Sequence, residues 1–334
     1  MAAHIDCFNK KDGYLFISTF RFLTVDAPDG VYPLMPGIDI VVGRGGKKYL
    51  SQELRNIAGA IEYEHLTGAN HLVVGEVPGD FFEDIPLELI LTMWLGWVDW
   101  LLQDAWLIKD NSIVCEIAYC KQIKNGAVKW ANNGLYSKIF TARGLSAEEV
   151  VFSAEEIKQW NTVCDTNRSL IFSNKAVMGG KVSDKGYSRF ARFYHFLDTS
   201  RRTPYEAVKI AHCCSALESL FSTDTVELSH RLSERVAFLF ARHGHDAEVV
   251  YQFIKDCYSV RSSVTHGSPV PSKFSKGLET QSEILQNYMR ELVFLLAKDK
   301  RLFTVLEGGN EGVEQYFRKL IFSSAGTVSV TEGA

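Results

Sequence analysis

Tyr258-Ser259-Val260-Arg261-Ser262-Ser263-Val264-Thr265-His266-Gly267 is the stretch on which the reading of this chain turns. Arg261 and His266 stand five positions apart, roughly 140° around an ideal helix, so a continuous helix would separate them. The helix is expected to stop here. Gly267 accommodates a left-handed cap and Pro269 blocks continuation. His266 then sits at a helix C-terminus, free to turn back toward the long Arg261 side chain. The helix dipole favours the imidazolium there and the arginine disfavours it, two opposed influences on a residue that ordinarily titrates near neutrality. A guanidinium grips phosphate through paired hydrogen bonds, and an imidazole moves protons. With no metal-ligand cluster nearby in the sequence, Arg plus His in this pattern points to metal-independent cleavage of a phosphodiester.

Working outward, the surrounding residues read as a helical bundle. Thr203-Pro204 predicts a helix start, a cap followed by proline at the first helical position. Ala207, Ile210, Ala211, Cys214, Leu217 and Phe221 then form one apolar stripe. A second helix is expected over about Val226–Arg242 with Leu228, Leu232, Val236 and Leu239 inward. A third spans Asp246–Thr265 with Val250, Phe253, Ile254, Cys257 and Val264 inward, and a fourth covers Leu278–Lys298 with Leu285, Tyr288, Met289, Leu292 and Leu296 inward. Four amphipathic helices with short connections imply an all-α four-helix bundle. Glu218 falls on or beside the first stripe. An unpaired buried carboxylate is costly, so it needs a cation, with Arg235 or Arg261 as candidates.

These segments also carry a resemblance. Ser215-Ala216-Leu217-Glu218-Ser219-Leu220-Phe221, then Leu232-Ser233-Glu234-Arg235-Val236-Ala237-Phe238-Leu239, then Arg261 to Gly267 resemble successive helices of the HEPN superfamily, in its Apea-like branch. The match covers about residues 200–300, under a third of the chain. It implies a four-helix HEPN bundle that forms a homodimer, bringing two R-x-x-x-x-H motifs to one cleft. It implies a metal-independent endoribonuclease that needs no cofactor and has RNA as substrate. Arg261 would bind the scissile phosphate and His266 would act as general acid or base as the 2′-hydroxyl attacks, leaving a 2′,3′-cyclic phosphate. Glu218 and Arg235 would orient the pair, and Ser262 takes the polar position after the arginine. Many relatives are toxins or defend against phage, which implies a protein or phage-derived trigger. Others are non-catalytic and bind RNA, nucleotide or a protein partner. Ser268 departs from the tyrosine that adenylylation-controlled toxins carry two residues after the histidine, which argues against that control.

Residues 1 to about 180 read as a mixed α/β domain and 187–322 as the helical domain, giving an α+β N-terminal domain followed by an all-α one. Strands are expected at Tyr14–Val25, Ile38–Val42, His71–Val77 and Ile113–Ile123, with helices at Leu50–Leu66, capped by Ser51, and Leu87–Ile108. The linker is placed near Ser173–Lys185, where glycine and small polar residues replace periodicity. The Leu87–Ile108 helix carries Trp94, Trp97, Trp100 and Trp106. Glu88, Asp99 and Asp104 make it a buried or interface helix rather than a membrane span.

The 334 residues carry a net charge of −4, so any nucleic-acid site has to be a local basic patch. Arg189, Arg192, Arg201 and Arg202, interleaved with aromatics, are candidates for RNA backbone and base contacts. The competing reading is an amphipathic helix packed on the bundle. Gly43-Arg44-Gly45-Gly46-Lys47-Lys48 lacks P-loop spacing and reads as a basic hairpin turn. Glu62, Glu64, His65 and His71 are metal-capable but lack an H-E-x-x-H arrangement and read as a solvated helix end. His243 and His245 read as parts of a turn. Seven scattered cysteines without C-x-x-C imply buried thiols in a reducing compartment. The first residues show no basic segment followed by an apolar run, so a cytoplasmic, membrane-free protein is expected.

Overall fold

The computed structural model describes residues 12–82, 84–134, 138–172, 181–184, 186–224 and 226–325. The chain divides into two compact units, Met1–Thr141 with Leu145–Asn167, and Ala142–Gly144 with Arg168–Ala334. An N-terminal α+β unit is thus followed by a helical one. The division falls inside a helix, α3 (Ala154–Phe172), ahead of the expected linker, most of which lies outside the described residues. Residues 142–144 belong to the helical unit because Ser282 donates to the Ala142 carbonyl at 2.7 Å and Arg143 pairs with Glu283 at 2.9 Å.

The first unit is built on a six-stranded antiparallel sheet in the order β3-β4-β5-β1-β6-β7. Its strands are β1 (Gly13–Ser18), β3 (Gly30–Met35), β4 (Ile38–Val42), β5 (His71–Pro78), β6 (Ala118–Lys124) and β7 (Ala127–Asn133). The central strands are apolar at consecutive positions because both faces are covered. Phe16, Ile40 and Val73 face a core with α2 (Leu87–Ile108) and Trp160 of α3. Leu15, Ile17, Val41, Leu72 and Val74 face the opposite way, with Leu54 and Leu66 of α1 (Gln52–Gly68). Trp94 stacks on Phe16 with ring centroids 5.1 Å apart. Gly75 permits this approach: a Cβ there would lie 2.8 Å from the Trp94 indole nitrogen and 2.3 Å from the Gly37 carbonyl. The Trp-rich helix is therefore a core element, and no described helix is long and apolar enough to cross a membrane.

Several sequence expectations shift here. Tyr14–Val25 is not one strand. β1 ends at Ser18, Phe22 takes a positive φ of 63°, and β2 (Leu23–Asp26) pairs in parallel with β8 (Val150–Ser153) in a separate two-stranded sheet. Within Ile113–Ile123 the ladder begins only at Ala118, Val114 forming an isolated bridge to Arg21. The basic turn is not a hairpin. Gly43–Tyr49 is a 3-10 turn leading into α1, and β4 pairs with β3 and β5 instead. Ser51 does cap α1, accepting from the Leu54 amide at 3.1 Å.

The helical unit contains α4 (Arg189–Arg201), α5 (Glu206–Phe221), α6 (Leu228–Ala241), α7 (Ala247–Thr265), the short α8 (Ser272–Ser275), α9 (Leu278–Lys298), α10 (Lys300–Glu307) and α11 (Asn310–Ala325). α5 packs against α4, α6, α7 and α9. It is buried on more than one stripe, with Cys213, Ala216 and Leu220 joining the expected Ile210, Cys214, Leu217 and Phe221. It starts two residues later than Thr203-Pro204 suggests. Tyr205 is the N-cap, and Thr203 accepts from the Tyr205 amide at 3.3 Å within the preceding turn. α7 is capped by Asp246, which accepts from the Glu248 and Val249 amides. α10 and α11 extend the core beyond four helices with Leu302, Leu306, Val313 and Phe317.

Candidate functional site

α7 ends as the sequence requires. Gly267 has φ +66°, its amide donates to the Val264 carbonyl at 3.3 Å, and the Ser268 amide donates to the Ser263 carbonyl at 2.9 Å. This double bond pattern is a Schellman cap, which only a residue tolerant of left-handed backbone closes without strain. His266 is the C-cap residue and is exposed. Among the described residues its side chain makes no hydrogen bond or ion pair.

Arg261 lies one helical turn and a half earlier, on the side of α7 that meets α5. Its Nη2 donates to Glu218 Oε2 of α5 at 3.2 Å, and the two side chains are 22% and 18% exposed. Of the two cations that the sequence offered to Glu218, Arg261 is the one that pairs with it. The pair is incompletely satisfied: Arg261 Nε and Glu218 Oε1 are both buried without a hydrogen-bond partner. Desolvation offsets most of the attraction in such a pair, and an unmet buried donor or acceptor costs about 1–3 kcal/mol. Stability alone is therefore a poor reason for this arrangement, whereas a charged group held ready for a ligand is a good one.

Tyr258 completes the cluster, and the sequence reading did not single it out. The Arg261 guanidinium carbon lies 5.2 Å from its ring centroid. Burial, then the Glu218 charge, pushes the Tyr258 phenol up to about 12, against the opposing charge of Arg261. The signal available was its spacing, three residues before Arg261 and hence a helical neighbour. Beneath the cluster, burial raises the thiols of Cys213, Cys214 and Cys257, so these act as small apolar packing groups. Ser262, the residue after the arginine, is half-buried.

No family model, curated protein or solved structure matches the chain.

Other expected site residues are placed elsewhere. Arg235 belongs to a separate network at the C-terminal end of α5, one turn beyond Glu218. Its Nη2 meets Glu314 of α11 at 2.5 Å, and its Nη1 donates to the Phe221 carbonyl and to Thr223 at 3.1 Å. α11 lies outside the four amphipathic helices of residues 203–298, so local sequence does not offer its carboxylate as the partner.

The four arginines expected to touch RNA have structural partners. Arg189 donates to the Leu220 and Ser222 carbonyls at 3.2 and 2.9 Å and to Asn310, capping the end of α5. Arg192 donates to the Val182 and Asp184 carbonyls, both at 3.1 Å. Arg201 is 2% exposed, and Arg202 pairs with Asp198 at 2.8 Å. An amphipathic helix packed on its neighbours is what α4 forms, not an open basic stripe.

His71 is not at a solvated helix end. It is buried at the start of β5, its Nε2 accepting from the Phe20 amide at 3.3 Å and its Nδ1 donating to Asn70 at 2.9 Å. Burial, assisted by His65, lowers it to about 4. His245 is more than a turn residue, since its Nε2 meets Glu291 of α9 at 2.9 Å and its ring packs on Phe240 and Tyr288. Among the described residues no group of three or more His, Cys, Asp or Glu side chains is arranged to hold a metal ion. Two clefts open in the sheet unit. One of about 730 Å³ includes Asp12, Tyr14, Asp80 and Gln122, and one of about 590 Å³ includes Asp29, Arg44, Lys47 and Asn70.

Proposed function

We propose that the helical unit is a HEPN-type bundle acting as a metal-independent endoribonuclease. Arg261 binds the scissile phosphate, and His266 transfers protons as the ribose 2′-hydroxyl attacks. The observation that carries this reading is the Glu218–Arg261 pair, held between α5 and α7 with unmet hydrogen-bonding capacity, one turn and a half before an exposed, unpartnered histidine at a Schellman cap. The guanidinium supplies charge stabilisation for a pentacoordinate phosphate, and the imidazole can serve as base for the nucleophile or acid for the 5′-oxygen. Glu218 limits the freedom of the arginine before the substrate arrives. Two copies of the chain, paired through the helical unit, would present two such motifs to one RNA. The sheet unit would sense a protein or phage-derived trigger, or select substrate, for a toxin or defence effector working in the cytoplasm.

Purified protein is incubated with total RNA in EDTA beside His266→Ala and Arg261→Ala. The expected result is cleavage leaving 2′,3′-cyclic phosphate ends, reduced about a hundredfold or more in either variant. Cleavage that survives both substitutions would refute the assignment. A second reading, a non-catalytic module holding RNA, nucleotide or a protein partner, is favoured by the absence of any group within the described residues that orients the His266 ring. RNA retention without cleavage, lost in Arg261→Ala, would select it.

A further inference from the structure

The cluster around Arg261 holds one side chain to which the proposed reaction gives no task. Tyr258 precedes Arg261 by three residues on α7, and its ring lies against the guanidinium with 5.2 Å between ring centroid and guanidinium carbon. Glu218 meets the same guanidinium from α5, through one hydrogen bond at 3.2 Å. A single bond to Nη2 leaves rotation about that contact open, whereas an aromatic face beside the planar group fixes its plane.

The phenol lies against Glu218, whose carboxylate acts on it both as a charge and as a hydrogen-bonding neighbour. A phenol keeps its proton throughout the neutral range, so its hydroxyl is a donor there. Glu218 Oε1 is a buried acceptor without a partner, and an O–H is the kind of group it lacks.

We infer that Tyr258 is a positioning residue for Arg261: its ring lies on the guanidinium, and its hydroxyl holds the Glu218 carboxylate that pairs with it. Arg261 is then held from two sides, by α5 through Glu218 and by the Tyr258 ring. This inference rests on Arg261 being the phosphate-binding group of the proposed reaction. A phenylalanine would preserve the packing, so the hydroxyl is what separates positioning from space-filling.

The test compares the full chain with Tyr258→Phe and Tyr258→Leu by two readouts, one of which needs no RNA. In the first, the Nε–Hε resonance of Arg261, assigned by its loss in Arg261→Lys, is followed by NMR for shift and solvent exchange. In the second, cleavage in EDTA is resolved into kcat and KM. Tyr258→Leu is expected to abolish the ring-induced shift and lower kcat about tenfold with little change in KM. Tyr258→Phe is expected to keep the shift, speed the exchange, and lower kcat about threefold. An Arg261 resonance unmoved in Tyr258→Leu, or a Tyr258→Phe protein matching wild type in both readouts, would overturn the inference. If the resonance responds as expected while no variant and no wild type cleaves RNA, positioning stands and the nuclease reading falls. Should Tyr258→Leu fail to fold, the exchange rate in Tyr258→Phe decides.

Discussion

Replacing Glu314 with alanine removes the carboxylate that, among the described residues, is bonded to Arg235, a residue whose side chain is 5% exposed against 29% for Glu314. Breaking a fully buried ion pair by deleting one partner costs about 3–5 kcal/mol. Two features lower that figure here. Solvent reaches Glu314, and Arg235 keeps its bonds to the Phe221 carbonyl and Thr223. The expected loss is therefore about 2–3 kcal/mol, or roughly 5–10 °C in the melting of a unit of this size. The assay separates the units without cutting them apart. All six tryptophans, Trp94 to Trp160, lie in the sheet unit, so tryptophan fluorescence reports that unit, while most of the described helix behind the far-ultraviolet dichroism lies in the helical one. Glu314→Ala should lower the dichroism transition and leave the fluorescence transition unmoved. Adding Arg235→Met should recover the helical unit to within about 1 kcal/mol of wild type, because no uncompensated charge remains buried. A loss below about 0.5 kcal/mol in the single variant would refute the structural role given to Arg235. Acid offers an independent check. Burial pushes the Glu314 carboxyl up, but Thr223, Arg235 and Arg231 outweigh it and hold the group below its usual range. The stabilisation is therefore present above the unfolded value and is lost as pH falls through the lower folded one, so acid should erase the difference between wild type and Glu314→Ala.

Gly267→Ala forces a non-glycine residue to φ +66°, and should cost about 1–2 kcal/mol by melting while misdirecting His266, so cleavage should fall more than stability. Equal activity at matched stability would count against the cap as the device that aims the histidine. His71 is held neutral by burial, with its folded value lowered to about 4. Its contribution is complete above the unfolded value near 6.5 and fades as pH falls toward 4, by up to about 3 kcal/mol. Urea titrations followed by tryptophan fluorescence should show this slope, and His71→Gln should flatten it.

Legibility differed between the units for physical reasons. α9 was bounded by its apolar period and the end of α7 by a glycine stop, since amphipathic spacing and caps are local properties, whereas the Asp246 cap of α7 was read as the first helical residue. The strands were located less well. The break at Phe22 depends on a backbone angle that an aromatic residue does not advertise, and the pairing of β2 with β8 joins residues more than a hundred positions apart. α4 shows the limit of reading charge from sequence. Its arginines look like a basic surface until the carbonyls and carboxylates around them are located.

For the candidate site, local chemistry in the sequence was enough to place His266 at a helix end, to put Gly267 in a left-handed cap and to demand a partner for Glu218. Which partner was a tertiary matter. Arg261 and Arg235 are both arginines within reach of α5 in principle, and only the packing of α7 and α11 against its two neighbours assigns Glu218 to the first and Glu314 to the second. Tyr258 likewise gains its meaning from a carboxylate forty residues away. Short-range geometry is written in residue types and spacings, whereas the electrostatic environment of a charge is set by whichever elements fold against it.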